Sequence, residues 1–288
     1  MPRVLTLLFV LAASTAAHAA QDTQAPPPEL SFDASAPAAP AIVDEEAPGP
    51  ADQAATPPPL PAHTGWHALA GDVLGDFKAF PRRRSTWVIL GVGAAAALAV
   101  HPLDDTVTED LADSDAAGRF FAAGRWIGSV YVQVGSSVGL YLVGRYLLPH
   151  AEGAPKTNKV THLGFDLIRG QVLSQVLVQG IKVIGQRDRP TGECCAFPSG
   201  HAAAAFATAS ILERHFGYRS AWPIMVAAGY VGASRLADNR HFLSDVVFGS
   251  AVGMASGWTV VGQHGRQNFA VMPRMVPGGY AIVVTKLE

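Results

Sequence analysis

The chain has 288 residues, enough for one core of moderate size with extensions; 49% are hydrophobic and only 15% charged, so much of it sits away from water. A formal net charge of -2 excludes the strongly basic face of a nucleic-acid binder. The two cysteines, Cys194 and Cys195, are neighbours that could bond only in a strained ring, which argues against a bridged scaffold and leaves them as two small loop residues.

Residues 1–20 have the three parts of a secretory signal. Arg3 supplies the positive start, residues 4–13 the short apolar run, and Ala17-His18-Ala19 a small-x-small site for cleavage after Ala19 or Ala20. A retained anchor is the alternative. Residues 21–63 hold eleven of the 21 prolines, with Asp44, Glu45 and Glu46 and no Lys or Arg. Such a stretch cannot bury enough apolar surface to offset its ordering entropy, so it reads as a disordered, partly extended linker.

Residues 64–265 read as a helical domain. Trp66, Leu69, Val73 and Phe77 fall on one side of an amphipathic helix over 66–80, which Pro81 interrupts before Arg82-Arg83-Arg84. Apolar helices are then expected at 87–100, 126–148, 163–184, 199–215, 221–233 and 243–261. The fold class is all-α, a bundle of about six core helices, rich in Gly and Ala for close packing. No run reaches the eighteen or so uninterrupted apolar residues of a clear membrane span; 87–100 and 243–261 come closest. Gln171, Gln175, Gln179 and Lys182 stack on one face of the third core helix, which should meet a polar interior. Residues 266–288 alternate weakly around Pro277-Gly278-Gly279, the pattern of a short hairpin.

Three clusters carry chemistry. Lys182 and Arg189-Pro190 end the third core helix; a point charge and a bidentate fork can grip separate phosphate oxygens, although alone they also describe a solvated helix end. Pro198-Ser199-Gly200-His201 opens the next helix, where free N–H groups attract an anion and His201 stands ready to give a proton to a leaving oxygen. Ser234-Arg235 precedes His241 and Asp245, which are four apart, so the carboxylate can fix the imidazole tautomer and leave the other nitrogen free to attack. His101 and His162 read as helix-end residues and Asp104-Asp105 as a loop or cap. No Cys, His or carboxylate cluster has metal-ligand spacing.

Taken together the clusters resemble the signature of the type 2 phosphatidic acid phosphatase and vanadium haloperoxidase superfamily: Lys-x6-Arg-Pro, Pro-Ser-Gly-His and Ser-Arg-x5-His-x3-Asp. Lys182 to Pro190, Pro198 to His201 and Ser234 to Asp245 match every fixed position. The resemblance implies that Lys182, Arg189 and Arg235 hold a phosphate, helped by Ser199 and the Gly200 amide. It implies that His241 attacks, Asp245 orients it and His201 protonates the leaving group, with no metal and no other cofactor.

The expected function is metal-independent hydrolysis of a phosphomonoester or diphosphate, favouring a lipid phosphate, through a phosphohistidine. Transfer to an acceptor hydroxyl by the same intermediate is the alternative, and vanadate-dependent haloperoxidase chemistry a lesser one. The partners expected are a phosphorylated small molecule or lipid and a membrane surface or bilayer. If all six core helices span, Arg82–Arg84, Lys156, Lys159, Arg214 and Arg219 lie on the side away from the site, a positive-inside pattern with catalysis outside. A cleaved signal followed by six spans would instead bring the site into the cytoplasm. The short Gly/Ala-rich helices and the polar third one favour an exported, membrane-associated bundle facing the periplasm.

Overall fold

The computed structural model describes residues 63–150, 156–262, 268–276 and 279–287. The expected signal, residues 1–20, and the linker as far as residue 62 lie outside them. Helix α1 (Trp66–Ala79) runs into a 3-10 turn at Phe80–Arg82, where Pro81 falls. Helix α2 (Arg84–Val100) follows, then a second 3-10 turn at His101–Leu103 and α3 (Asp104–Ala112). Next come α4 (Asp115–Ile127) and α5 (Val130–Leu142), which ends in a π turn at Val143–Leu147. The remaining helices are α6 (Lys159–Gly185), α7 (Gly200–Phe216), α8 (Tyr218–Ala237) and α9 (Leu243–Val261). The tail forms an antiparallel pair, β1 (Asn268–Val276) and β2 (Gly279–Leu287), with Val276 opposite Gly279.

Two expectations are corrected. Asp104-Asp105, expected as a loop or cap, open a helix, because both lie in its first turn, where negative charge suits the helix N-terminus. The single helix expected over 126–148 is two. Its first part starts at Asp115, behind Ser114, whose hydroxyl accepts from Ala117 N at 3.2 Å. The chain then bends by 44° before Val130. Gly128 sits at that bend against α8, where a Cβ would lie 2.2 Å from Val231 Cγ1.

The core is built around α9, which packs against α7, α2 and α6. Its residues Gly249, Gly253 and Gly257 recur every four positions along α7. A Cβ on Gly253 would stand 2.3 Å from the Ala203 carbonyl oxygen, and one on Gly249 2.5 Å from that of Ser199. On the α2 side, a Cβ on Gly93 would stand 2.3 Å from the Ala251 Cβ. The facing run Ala202–Ala205 is equally small and buried. Backbones thus meet almost directly, the arrangement that small residues four apart permit.

Helix α2 has a different outer face: Trp87, Val88, Val92 and Leu98 are exposed. With the turn and α3 it forms a helical stretch, Arg84–Ala112, of 29 residues and mean hydropathy 1.7 over its best window, of which 17% is buried. Among the described residues this is the one helix long and apolar enough to cross a membrane, or one of two if the bent pair Asp115–Ile127 and Val130–Leu147 counts as a single span. Helix α9, equally apolar in sequence, is the buried spine.

Candidate active site

Four helix ends meet at one pole: the C-terminal turn of α6, the N-terminus of α7, the last turn of α8 and the N-terminus of α9. Between them lies a cavity of about 550 Å³, lined by Lys182, Arg189, Gly200, His201, Arg235 and His241 together with Arg125, Gln175, Gln179, Asp238 and Arg240. Six of the eight residues singled out in the sequence therefore face one space. The other two stand behind it. Ser199 is fully buried as the N-cap of α7, its hydroxyl 3.5 Å from Ala202 N. Asp245 is also fully buried, with Oδ2 accepting from Phe242 N at 2.9 Å.

His241 Nδ1 is 3.7 Å from Asp245 Oδ2, longer than a hydrogen bond, and has no other partner. The ring is thus aimed at the carboxylate without closing on it. Behind Asp245 stands a brace that uses none of the motifs' other fixed positions. Arg187 NH1 donates to Asp245 Oδ1 and to Ser244 Oγ, each at 2.8 Å, and NH2 donates to Asp104 Oδ2 at 2.9 Å. Asp104 Oδ1 accepts from Ser244 N at 2.7 Å, and the guanidinium lies 4.4 Å over the Phe242 ring. The residue expected as a loop or cap therefore ties α3 to the start of α9, and Asp104 is 2% exposed.

The cationic wall is held from outside the motifs too. Asp238 accepts from Arg235 NH1 at 2.6 Å and from Arg125 NH2 at 2.7 Å, so α4 reaches the site. Glu193 reaches Arg240 at 3.0 Å and Arg189 at 3.4 Å, but it is exposed and these pairs are weak. The Nε atoms of Arg189 and Arg235 are buried without a hydrogen-bond partner. Lys182 Nζ donates to the carbonyls of Cys195 at 2.5 Å and Ala196 at 3.2 Å. The expectation for Cys194 and Cys195 is corrected here, since they form a vicinal disulfide. Their loop is pinned on both sides, by the Asp188–Cys194 bridge and by Ala196 N donating to Arg187 O at 2.6 Å, so both side chains leave one tight segment.

Burial and crowding by like charge set the ionisation of the site. Burial, with the charges of Arg235, His241 and Lys182, lowers the His201 pKa to about 4. Burial also lowers that of His241, against the pull of Asp245. Lys182 falls to about 8, through burial and the neighbouring Arg189, and stays mostly cationic near neutrality. A polyanion fits such a wall: several fixed cations converge on one space where two imidazoles are uncharged.

A family model described as the PAP2 superfamily matches residues 163–269. The lipid A 1-phosphatase of Porphyromonas gingivalis is 39% identical over 92 residues, which is 31% of this chain and 21% of that protein. The chain thus spans about a fifth of the length of that curated relative. Two crystal structures are similar. One is Aquifex aeolicus LpxE, at 23% identity and TM-score 0.43, covering 54% of this chain and 92% of that one. The other is a transmembrane PAP2-type phosphatidylglycerolphosphate phosphatase from Bacillus subtilis, at 19% identity and TM-score 0.46, covering 61% and 92%.

Proposed function

We propose that the chain, whose residues 163–269 match the PAP2 superfamily model, is a phosphatase that hydrolyses a phosphomonoester or diphosphate, favouring a lipid phosphate, through a phosphohistidine. The observation that carries this reading is the convergence of Lys182, Arg189, Arg235, His201 and His241 on one cavity. A phosphoryl group in transfer spreads negative charge over three equatorial oxygens, so positioning and fixed positive charge supply most of the catalysis.

In the proposed first step, Nε2 of neutral His241 attacks phosphorus while the bond to the leaving oxygen breaks. Nδ1 keeps its proton and faces Asp245, which stabilises the ring as it becomes positive. His201 donates its proton to the leaving oxygen. In the second step neutral His201 takes a proton from water, the hydroxide oxygen bonds to phosphorus, and the P–N bond breaks to return its electron pair to His241. Lys182, Arg189 and Arg235 hold the equatorial oxygens throughout, with the Gly200 amide at the N-terminus of α7. Ser199 serves by capping that helix and orienting the amide.

A lipid substrate is favoured by what surrounds the cavity. Trp126, Tyr131, Val183 and Ile184 are exposed on the elements that form its mouth, and α2 also presents an exposed apolar face. A lipid surface is the solvent such a rim fits. The reading adopted is an exported, membrane-associated enzyme with its site on the outer side.

The test is phosphate release from soluble and lipid phosphates in detergent. Activity should survive EDTA and be blocked by vanadate, which adopts the trigonal bipyramidal geometry of the transfer. Loss on chelation with rescue by Mg²⁺ would defeat the assignment of charge neutralisation to Lys182, Arg189 and Arg235. Bromide oxidation with vanadate and peroxide, run beside it, would reveal haloperoxidase chemistry.

A further inference from the structure

The pole opposite the cavity holds a second cluster that the proposed reaction does not use. His162 and Asp166 are one turn apart near the N-terminus of α6, and His215 lies in the last turn of α7. Nε2 of each imidazole stands 3.0 Å from the same atom, Asp166 Oδ2, and the three donor atoms lie within 4.8 Å of one another. The side chains of His162, Asp166 and His215 are 7%, 3% and 8% exposed. Asp166 Oδ1 accepts from Arg169 NH1 at 3.0 Å, and Arg169 in turn grips Asp76 of α1 through Nε and NH2, each at 2.8 Å.

Charge makes this cluster unusual. Asp166 and Asp76 share one guanidinium, so with neutral imidazoles the group carries a net negative charge out of water, which is costly. Two imidazoles converging on one carboxylate oxygen are also a donor set for a borderline transition metal. Hard cations such as Mg²⁺ and Ca²⁺ take oxygen ligands instead. Zinc bonds of about 2.0–2.1 Å in a tetrahedron place donor atoms roughly 3.3 Å apart. The two His–Asp distances need open by only a few tenths of an ångström, and the two imidazole nitrogens, which lie within 4.8 Å of each other, must draw together by up to about 1.5 Å, a movement of the rings about their side-chain torsions.

We propose that His162, Asp166 and His215 form a zinc site that ties α6 to α7, with its fourth position taken by water. Asp166 precedes Lys182 by sixteen residues of α6, about 24 Å along the axis, so the metal has no part in the chemistry at the cavity. Its role is to clamp the far pole, and through Arg169 and Asp76 to hold α1 as well. This inference stands apart from the phosphatase reading.

The full chain, stripped with a chelator, is titrated with Zn²⁺ and separately with Co²⁺. One equivalent should bind per chain, Co²⁺ should give the intense visible bands of a tetrahedral site, and a hundredfold excess of Zn²⁺ over Kd should raise Tm by about 5 °C or more. His215→Gln and Asp166→Asn should lose both effects, while His201→Ala keeps them. If those variants do not fold, X-ray absorption on the wild-type zinc form decides, and imidazole nitrogens in its first shell support the site. No bound metal, a Tm rise that persists in both variants, or a zinc shell without imidazole overturns the proposal. Phosphatase activity measured well below Tm should not follow metal content, so the two readings fail separately.

Discussion

Arg187 donates to Asp245 Oδ1 at 2.8 Å while His241 faces the other oxygen, Oδ2, from 3.7 Å. The carboxylate is therefore held from behind and presented to the imidazole, with Asp104 holding the other arm of the guanidinium at 2.9 Å. Arg187 does not line the cavity, so under the proposed reaction it acts through Asp245.

Removing this positioning residue should slow the reaction without abolishing it. Arg187→Ala frees a fully buried carboxylate on one side, and a hydrogen bond to a charged group is worth about 1.5–3 kcal/mol. Misplacement of a reacting group by about 1 Å can cost a hundredfold in rate. We expect kcat to fall about ten- to a hundredfold with KM little changed and partial recovery in Arg187→Lys. An unchanged kcat in a folded variant would remove Arg187 from the mechanism.

The two histidines should fail differently. His241→Ala should lose activity on every substrate and give no labelled enzyme. His201→Ala should lose roughly a hundred- to ten-thousandfold on an alkyl or lipid phosphate but far less on p-nitrophenyl phosphate, whose leaving group needs little protonation. It should still form an acid-labile phosphoenzyme. The check is kcat/KM for both variants on both substrates, with acid- and alkali-quench trapping. Equal losses on the two substrates for His201→Ala would exchange or void the roles.

Because the His201 pKa sits near 4, against an ordinary value of 6.5, the proposed acid is largely unprotonated at neutral pH. A bound phosphate brings negative charge beside it and raises that pKa. The alkaline limb of kcat should therefore lie at least one pH unit above that of kcat/KM, which reports the free enzyme. Stability follows the same group with a definite sign. Between about 4 and 6.5 the unfolded chain binds the proton that the folded chain refuses, so this group makes Tm rise with pH across that window. Bound vanadate should flatten the rise. Coincident limbs, or a Tm contribution that vanadate leaves untouched, would contradict the assignment.

The α7–α9 contact predicts a sharp contrast between glycines. Gly253→Ala places a Cβ 2.3 Å from the Ala203 carbonyl oxygen, and backbone cannot rotate away. The cost should be about 1–3 kcal/mol or more, read as a Tm drop of roughly 2–4 °C per kcal/mol. Gly229 is an exposed α8 residue with nothing within 4 Å of its Cβ position, so Gly229→Ala should leave Tm unchanged or raise it. Equal effects at the two sites would mean the close approach is not real.

The sequence made the helical class and the cavity residues legible because motif spacing puts them at helix ends, where side chains from different helices can meet. It hid what depends on long separations. Arg187 falls inside the first motif as an unmarked residue, and its partner Asp104 lies far upstream in a stretch whose acidity looked like a loop. His215 joins His162 and Asp166, themselves one turn apart on α6, only because α6 and α7 run antiparallel, so local spacing shows two members of the cluster and hides the third. Ser199 reads as a ligand in the motif, and the structure adds that it is the buried N-cap of α7. Apolar composition alone could not separate α2, whose Trp87 and Leu98 are exposed, from α9, which is buried. That distinction belongs to packing.

The unpartnered Nε atoms of Arg189 and Arg235 have a consequence for turnover. Orthophosphate offers them the same tetrahedral oxygens and nearly the same charge as the group being cleaved. Under the proposed reaction the product is thus a competent tenant, and its departure re-exposes cations that repel one another. Dissociation of inorganic phosphate, more than bond cleavage, would then set the pace on good substrates. The phosphate content of the surrounding fluid would act as a throttle on the enzyme.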